Sequence, residues 1–109
     1  MSNRNDYDLR YLPIFHEDLG QAIEYIASEL KNPKAAQNLL DAVETAILER
    51  LPIAESFEQN HSSIERKHPY YRIYVGNYIV FYVVIDEGEN KTMEVRRFLY
   101  KGRDRDQIV

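Results

Sequence analysis

The chain contains no cysteine and no tryptophan. Without cysteine there is neither a disulfide framework nor a thiolate metal site, which fits a reducing compartment. No run of apolar residues approaches the ~20 that a spanning helix needs, so no membrane is expected as a partner. The opening MSNRNDYDLR lacks the apolar stretch of a signal peptide, and the expected location is the cytoplasm. There is no glycine-rich phosphate loop and no nucleophile elbow. The three histidines, His16, His61 and His68, make no helical metal pair, so no metal and no cofactor is expected. Internal repeats and low-complexity linkers are also missing. The 109 residues read as one domain, 1–109, long enough to bury a core without staples.

What is present is unevenly divided. Residues 1–60 hold five Lys or Arg against eleven Asp or Glu, while residues 61–109 hold nine against seven. The total of −4 argues against strong non-specific nucleic-acid binding, which rests on counterion release by many cations. Yet the run 96–105 carries Arg96, Arg97, Lys101, Arg103 and Arg105. An acidic protein thus ends on a basic stretch.

Hydrophobic spacing places the elements. Residues 8–15, DLRYLPIF, read as a short strand, with Pro13 marking an edge or a strand end. Leu19, Ala22, Ile23, Ile26, Ala27 and Leu30 recur at three and four, the stripe of an amphipathic helix. Asn32 caps a second helix with Pro33 at its first position, and Ala36, Leu39, Leu40, Val43, Ile47 and Leu51 form its stripe. The short connection predicts an antiparallel hairpin whose outer faces carry Glu24, Glu29, Asp41, Glu44 and Glu49. Residues 54–69 read as a loop. Then RIYV (72–75), the turn Gly76-Asn77, YIVFYVVI (78–85), the turn 86–90 and TMEVRRFLY (92–100) predict three strands, followed by a tail or short helix over GRDRDQIV. The middle strand is apolar on both faces, which suits either a central strand covered on both sides or one with a Tyr-lined face. The predicted fold class is α+β: an N-terminal strand, a helical hairpin and a three-stranded antiparallel meander in one small twisted sheet.

Strict alternation along the last strand puts Met93, Val95, Arg97 and Leu99 on one face and Glu94, Arg96, Phe98 and Tyr100 on the other. Either way one arginine points with apolar neighbours, and it needs a helix carboxylate or a wet cleft. Arg66, Lys67 and Arg72 add charge nearby, and Tyr70, Tyr71, Tyr74, Tyr78 and Tyr82 add aromatic surface. Cations interleaved with rings suit a single RNA strand or a protein partner, and tyrosines are common in strands for packing alone.

In this order and spacing the chain resembles the RelE/ParE superfamily of bacterial type II toxins over nearly its whole length. KNPKAAQNLLDAVETAI is similar to the opening of the family's second helix. YYRIYVGNYIVFYVVID resembles its hairpin through Arg72, Tyr78 and Tyr82. RRFLYKGRD resembles its closing motif through Arg97, Arg103 and Asp104, with Tyr100 where many ParE-like members have His. The resemblance implies a toxin of the plasmid-stabilisation type, held by a cognate antitoxin encoded next to it. A homodimer and a toxin–antitoxin hetero-oligomer are the assemblies it leaves open. RelE-like members cut mRNA on the ribosome; ParE-like members inhibit DNA gyrase.

The RelE branch carries Arg where this chain has Ile79, and a tail Tyr where it has Val109. That favours the ParE-like branch and gyrase. A ribosome-dependent mRNA endonuclease using Arg97, Tyr100, Arg103 and His68, with Glu65 as a further proton carrier, is the alternative, and a non-toxic antitoxin-binding remnant is the third. The residues expected to contact a target or antitoxin are Arg72, Tyr78, Tyr82, Arg97, Tyr100, Arg103 and Asp104. The antitoxin segment is expected to bring acid toward Arg97 and Arg103.

Overall fold

The computed structural model describes residues 7–57 and 68–102. Strand β1 (Tyr7–Tyr11) is followed by helix α1 (Pro13–Glu24), a π turn (Tyr25–Glu29) and helix α2 (Pro33–Arg50). A short 3-10 turn (Leu51–Ile53) leaves α2, and strands β2 (Tyr71–Val75), β3 (Tyr78–Glu87) and β4 (Asn90–Tyr100) complete the chain. The sheet order is β1-β4-β3-β2. The last three strands form the antiparallel meander expected, and β1 adds to it in parallel, making the sheet mixed.

Pro13 begins a helix instead of ending a strand. Its fixed φ suits the first helical position, and its missing N–H removes a donor that no intrahelical acceptor would take. The strand expected over 8–15 therefore stops at Tyr11. Leu12 caps α1 without a side-chain bond; its own N–H donates to Val95 O at 2.9 Å, extending the β1–β4 ladder by one step.

The helix junction is tightly specified. Leu30 N–H reaches back to Tyr25 O, and Asn32 N–H to Ile26 O, both at 3.1 Å. Between them Lys31 takes φ +51°, the left-handed conformation that usually falls to glycine after a helix. Asn32 then caps α2 as expected, its Oδ1 accepting Ala35 N–H at 3.0 Å, with Pro33 next. Reversal within so few residues sets the two helices side by side on the sheet.

Their buried residues, Phe15, Ala22, Val43 and Ile47, pack on Ile73, Val75, Val80, Tyr82, Met93, Val95 and Phe98. The far side of the sheet is buried as well, with Ile79, Phe81, Val83, Ile85 and Leu99 clustered around Tyr70. This is why YIVFYVVI is apolar throughout: β3 is central and covered on both faces. Gly76 at φ +59° turns β2 into β3, and Lys101 N–H closes on Asn77 O at 2.9 Å beside it.

The left-handed backbone at Lys31 yields a test. Lys31→Gly should stabilise the fold by roughly 1 kcal/mol, because a Cβ is disfavoured at that φ. Chemical denaturation of the two proteins at equal salt measures it.

Candidate functional site

The site begins where β1 stops. β1 pairs with β4 only from Lys91 to Val95, so beyond Val95 the outer edge of β4 has no strand beside it among the described residues. An open edge exposes N–H groups that still need acceptors. Helix α1 supplies one. Asp18 Oδ2 accepts Phe98 N–H at 3.1 Å and Arg97 Nε at 2.7 Å, and Oδ1 accepts Arg97 Nη2 at 3.1 Å. One carboxylate thus caps the strand edge and grips a guanidinium in a fork. The Asp18 bond holds the Arg97 guanidinium above its ordinary pKa, against the opposing effect of burial.

The sheet departs here from strict alternation. Phe81 lies opposite Arg97 while Tyr82 lies opposite Val95, so Arg96 is an extra residue in β4. Such a bulge shifts every later side chain to the other face. Phe98 therefore joins Met93 and Val95 in the helix-side core, and Leu99 joins the far-side cluster. The alternation expected from sequence groups these residues the opposite way. The arginine that points among apolar neighbours has found a helix carboxylate.

Arg96 is drawn into a second network. Glu94 is only 5% exposed. Its Oε1 accepts Arg96 Nε at 2.7 Å, and its Oε2 accepts Arg10 Nε at 2.8 Å and Nη2 at 2.7 Å. Burial works to raise the Glu94 pKa, but the bonds from Arg96 and Arg10 outweigh it and hold the carboxyl below its usual range. Arg96 also lies 5.9 Å from the Tyr70 ring centroid. Arg96 and Arg97, two of the five cations of the run 96–105, are thus matched inside the molecule, by one carboxylate from β4 itself and one from α1.

Tyr82 is fully buried. Its hydroxyl donates to Ala54 O at 2.7 Å and accepts from Arg50 Nη1 at 2.9 Å, while its ring stacks on Tyr71 at 5.1 Å. The same Arg50 nitrogen donates to Arg72 O at 3.2 Å, and the guanidinium carbon sits 3.5 Å from the Phe57 ring centroid. Tyr82 is thereby part of a clamp that ties the end of α2 to β2 and β3. The resemblance puts Tyr82 among the contact residues; in the free protein it presents no surface.

The remaining candidates fall in three places. Arg72 lies on the far face with its Nη1 donating to the Tyr74 hydroxyl at 3.0 Å. His68 is half-buried just before β2. Tyr78 and Tyr100 come together on the α1 side: Tyr78 stacks on Phe98 at 4.8 Å and meets Tyr100 edge-on at 5.7 Å. Burial, then the Tyr100 and Tyr25 hydroxyls, push the Tyr78 pKa up. Arg103, Asp104, Val109, His61, Glu65, Arg66 and Lys67 lie outside the described residues. The structure therefore unites Tyr78 and Tyr100 with Asp18 and Phe98, and Arg97 reaches the same Asp18 from the Phe81 side of the sheet; Arg72 and Tyr82 are set apart from them.

Asp18, Arg50, Glu94, Arg10 and Tyr25 did not stand out from the sequence. Asp18 had a signal: it lies three residues after Phe15 and four before Ala22, on the stripe that both bury. A carboxylate on a buried stripe requires a partner. Among the described residues no group of His, Asp or Glu is placed to hold a metal ion. No helix described is long and apolar enough to cross a membrane.

These networks make two measurable statements. Asp18→Ala leaves the Arg97 guanidinium and the Phe98 N–H without their shared acceptor, and should destabilise by about 3 kcal/mol in chemical denaturation. Glu94 titrates below its unfolded value of about 4.3, so its stabilisation is complete above that pH and is lost as pH falls through the folded value. The stability difference between wild type and Glu94→Gln should accordingly be largest near neutrality and shrink below about pH 4. A difference independent of pH would refute that assignment.

A family model described as the ParE toxin of the type II toxin–antitoxin system parDE matches residues 9–105. No curated protein matches the chain significantly. The matched stretch runs from β1 through the bulge, the Asp18 cap and the Tyr78–Tyr100 pair. With a mixed four-stranded sheet, a helical hairpin on one face and the family match over nearly its whole length, the chain belongs to the ParE toxin family of type II toxin–antitoxin systems.

Proposed function

We propose that this chain is a toxin that acts in the cytoplasm by binding a protein target, DNA gyrase in the first place, and that an antitoxin encoded beside it holds it inactive. The observation that carries this reading is the engagement of Arg97. A nuclease of the RelE type needs cations on the charge that develops at phosphorus. Here the Arg97 fork is closed on Asp18, and the position of another RelE cation is taken by Ile79, which is fully buried. Around Asp18, Tyr25 and Tyr100 are each about half exposed. Exposed tyrosines around a rigid sheet end suit a protein interface.

A cleft of about 420 Å³ between α1 and α2 offers the antitoxin a second place to dock. Its floor is Phe15, Leu19, Val43 and Ile47, and Asp41, Glu44 and His16 stand on its walls. Helix-in-groove binding uses such a floor. The acidic walls favour a segment with basic residues there, in contrast to the acid that the sequence alone led us to expect opposite Arg97.

Expression without the antitoxin is the direct test. Growth should stop, purified protein should inhibit gyrase supercoiling, and ribosome-bound mRNA should stay uncut. Codon-positioned mRNA cuts would replace this reading with the endonuclease. Harmless expression, with intact binding of the neighbouring gene product, would replace it with a non-toxic remnant.

A further inference from the structure

Where α1 ends, β3 begins and β4 finishes, seven residues line an open cleft of about 180 Å³, among them Asp18, Gln21, Tyr25, Tyr78, Phe98 and Tyr100. Two of its rings pack against each other. Tyr78 lies flat on Phe98, with 10° between the planes, and Tyr100 meets Tyr78 at 80°. Gly102 lies close to the same ring, since a Cβ there would come within 3.2 Å of Tyr100 Cε2. The third ring, Tyr25, opens the π turn after α1, and it is 53% exposed against 50% for Tyr100. Two large rings are thus left wet beside a supported aromatic floor.

The chemistry of the lining selects the ligand. Aromatic faces are negative and attract cations. Asp18 adds a carboxylate with about four acceptor positions, of which Arg97 and the Phe98 N–H use three. The remaining lone-pair position is on Oδ1. Gln21 adds an amide oxygen. Among the described residues that line the cleft there is no Lys or Arg. The Asp18 charge is already matched by Arg97, so the described lining has no spare cation for a phosphate, while its aromatic faces still favour a cation. A planar guanidinium can stack on tyrosine and donate to Oδ1 at the same time, which a compact ammonium does less well.

We propose that this cleft is an aromatic cage for a single arginine side chain of a polypeptide partner. The cage rests on the reading of the chain as a protein-binding toxin only for the partner's role, because the lining itself defines the ligand. It differs from the groove between α1 and α2, which takes an apolar stripe. The cage takes one cation and so fixes the register of whatever segment passes over the end of the sheet.

The test uses the purified, isotope-labelled chain and a blocked tripeptide, N-acetyl-Gly-Arg-Gly-amide, followed through the tyrosine ring resonances. The peptide should shift Tyr25, Tyr78 and Tyr100 with millimolar affinity, as expected for one side chain. Tyr25→Leu and Tyr100→Leu should each weaken binding roughly three- to tenfold, while Tyr25→Phe keeps the ring and the affinity. The Glu tripeptide and uridine 5′-monophosphate should leave the rings unmoved. Unmoved rings with the arginine peptide, or equal loss with Tyr25→Phe and Tyr25→Leu, would overturn the cage. Tighter binding of the nucleotide would make the cleft a base-stacking platform instead. None of these readouts involves gyrase or growth, so the cage and the proposed target succeed or fail separately.

Discussion

The fold turns on one carboxylate. β1 runs alongside only half of β4, and the uncovered half would leave a strand edge beside a helix with no acceptors to spare. Asp18 resolves this by standing where the next strand's carbonyl would stand, accepting Phe98 N–H and taking the Arg97 fork with it. Helix α1 is thereby locked to β4, and Tyr25, one turn past the buried Ala22, is carried to the end of the sheet. The side chains that converge there depend on this lock for their relative position.

The bulge at Arg96 has the same reach. One inserted residue reassigns the faces of Phe98, Leu99 and Tyr100. It lets Arg96 turn to Glu94 while Arg97 turns to Asp18, so two adjacent arginines satisfy two different carboxylates. Buried pairs of this kind add little net stability, because desolvation opposes the attraction. Their effect here is positional. They fix the end of β4, and they reduce the free positive charge that a phosphate-gripping surface would need.

The tyrosines divide by the same logic. Tyr82 serves the interior, its hydroxyl satisfied by Ala54 and Arg50. Tyr78 serves as a wall, half covered by Phe98. Tyr25 and Tyr100 are left to solvent, which costs free energy in the isolated chain and marks a surface that gains when covered. Nothing in the spacing of nine tyrosines distinguishes these roles.

The sequence by itself determined the elements and their order. Apolar spacing of three and four can only be buried by a helix, Asn32-Pro33 can only start one cheaply, and a strand apolar on both faces must be central. The family motifs were legible for the same reason, since they lie on those elements. Tertiary structure decided the rest. Pairing β1 with β4 is a long-range choice between edges of similar polarity, and a bulge is invisible until the partner strand is in register. Asp18 and Arg97 are 79 residues apart, and no local pattern reports a contact of that length. Charge counted along the chain made the end basic; only the fold showed that Arg96 and Arg97 meet carboxylates.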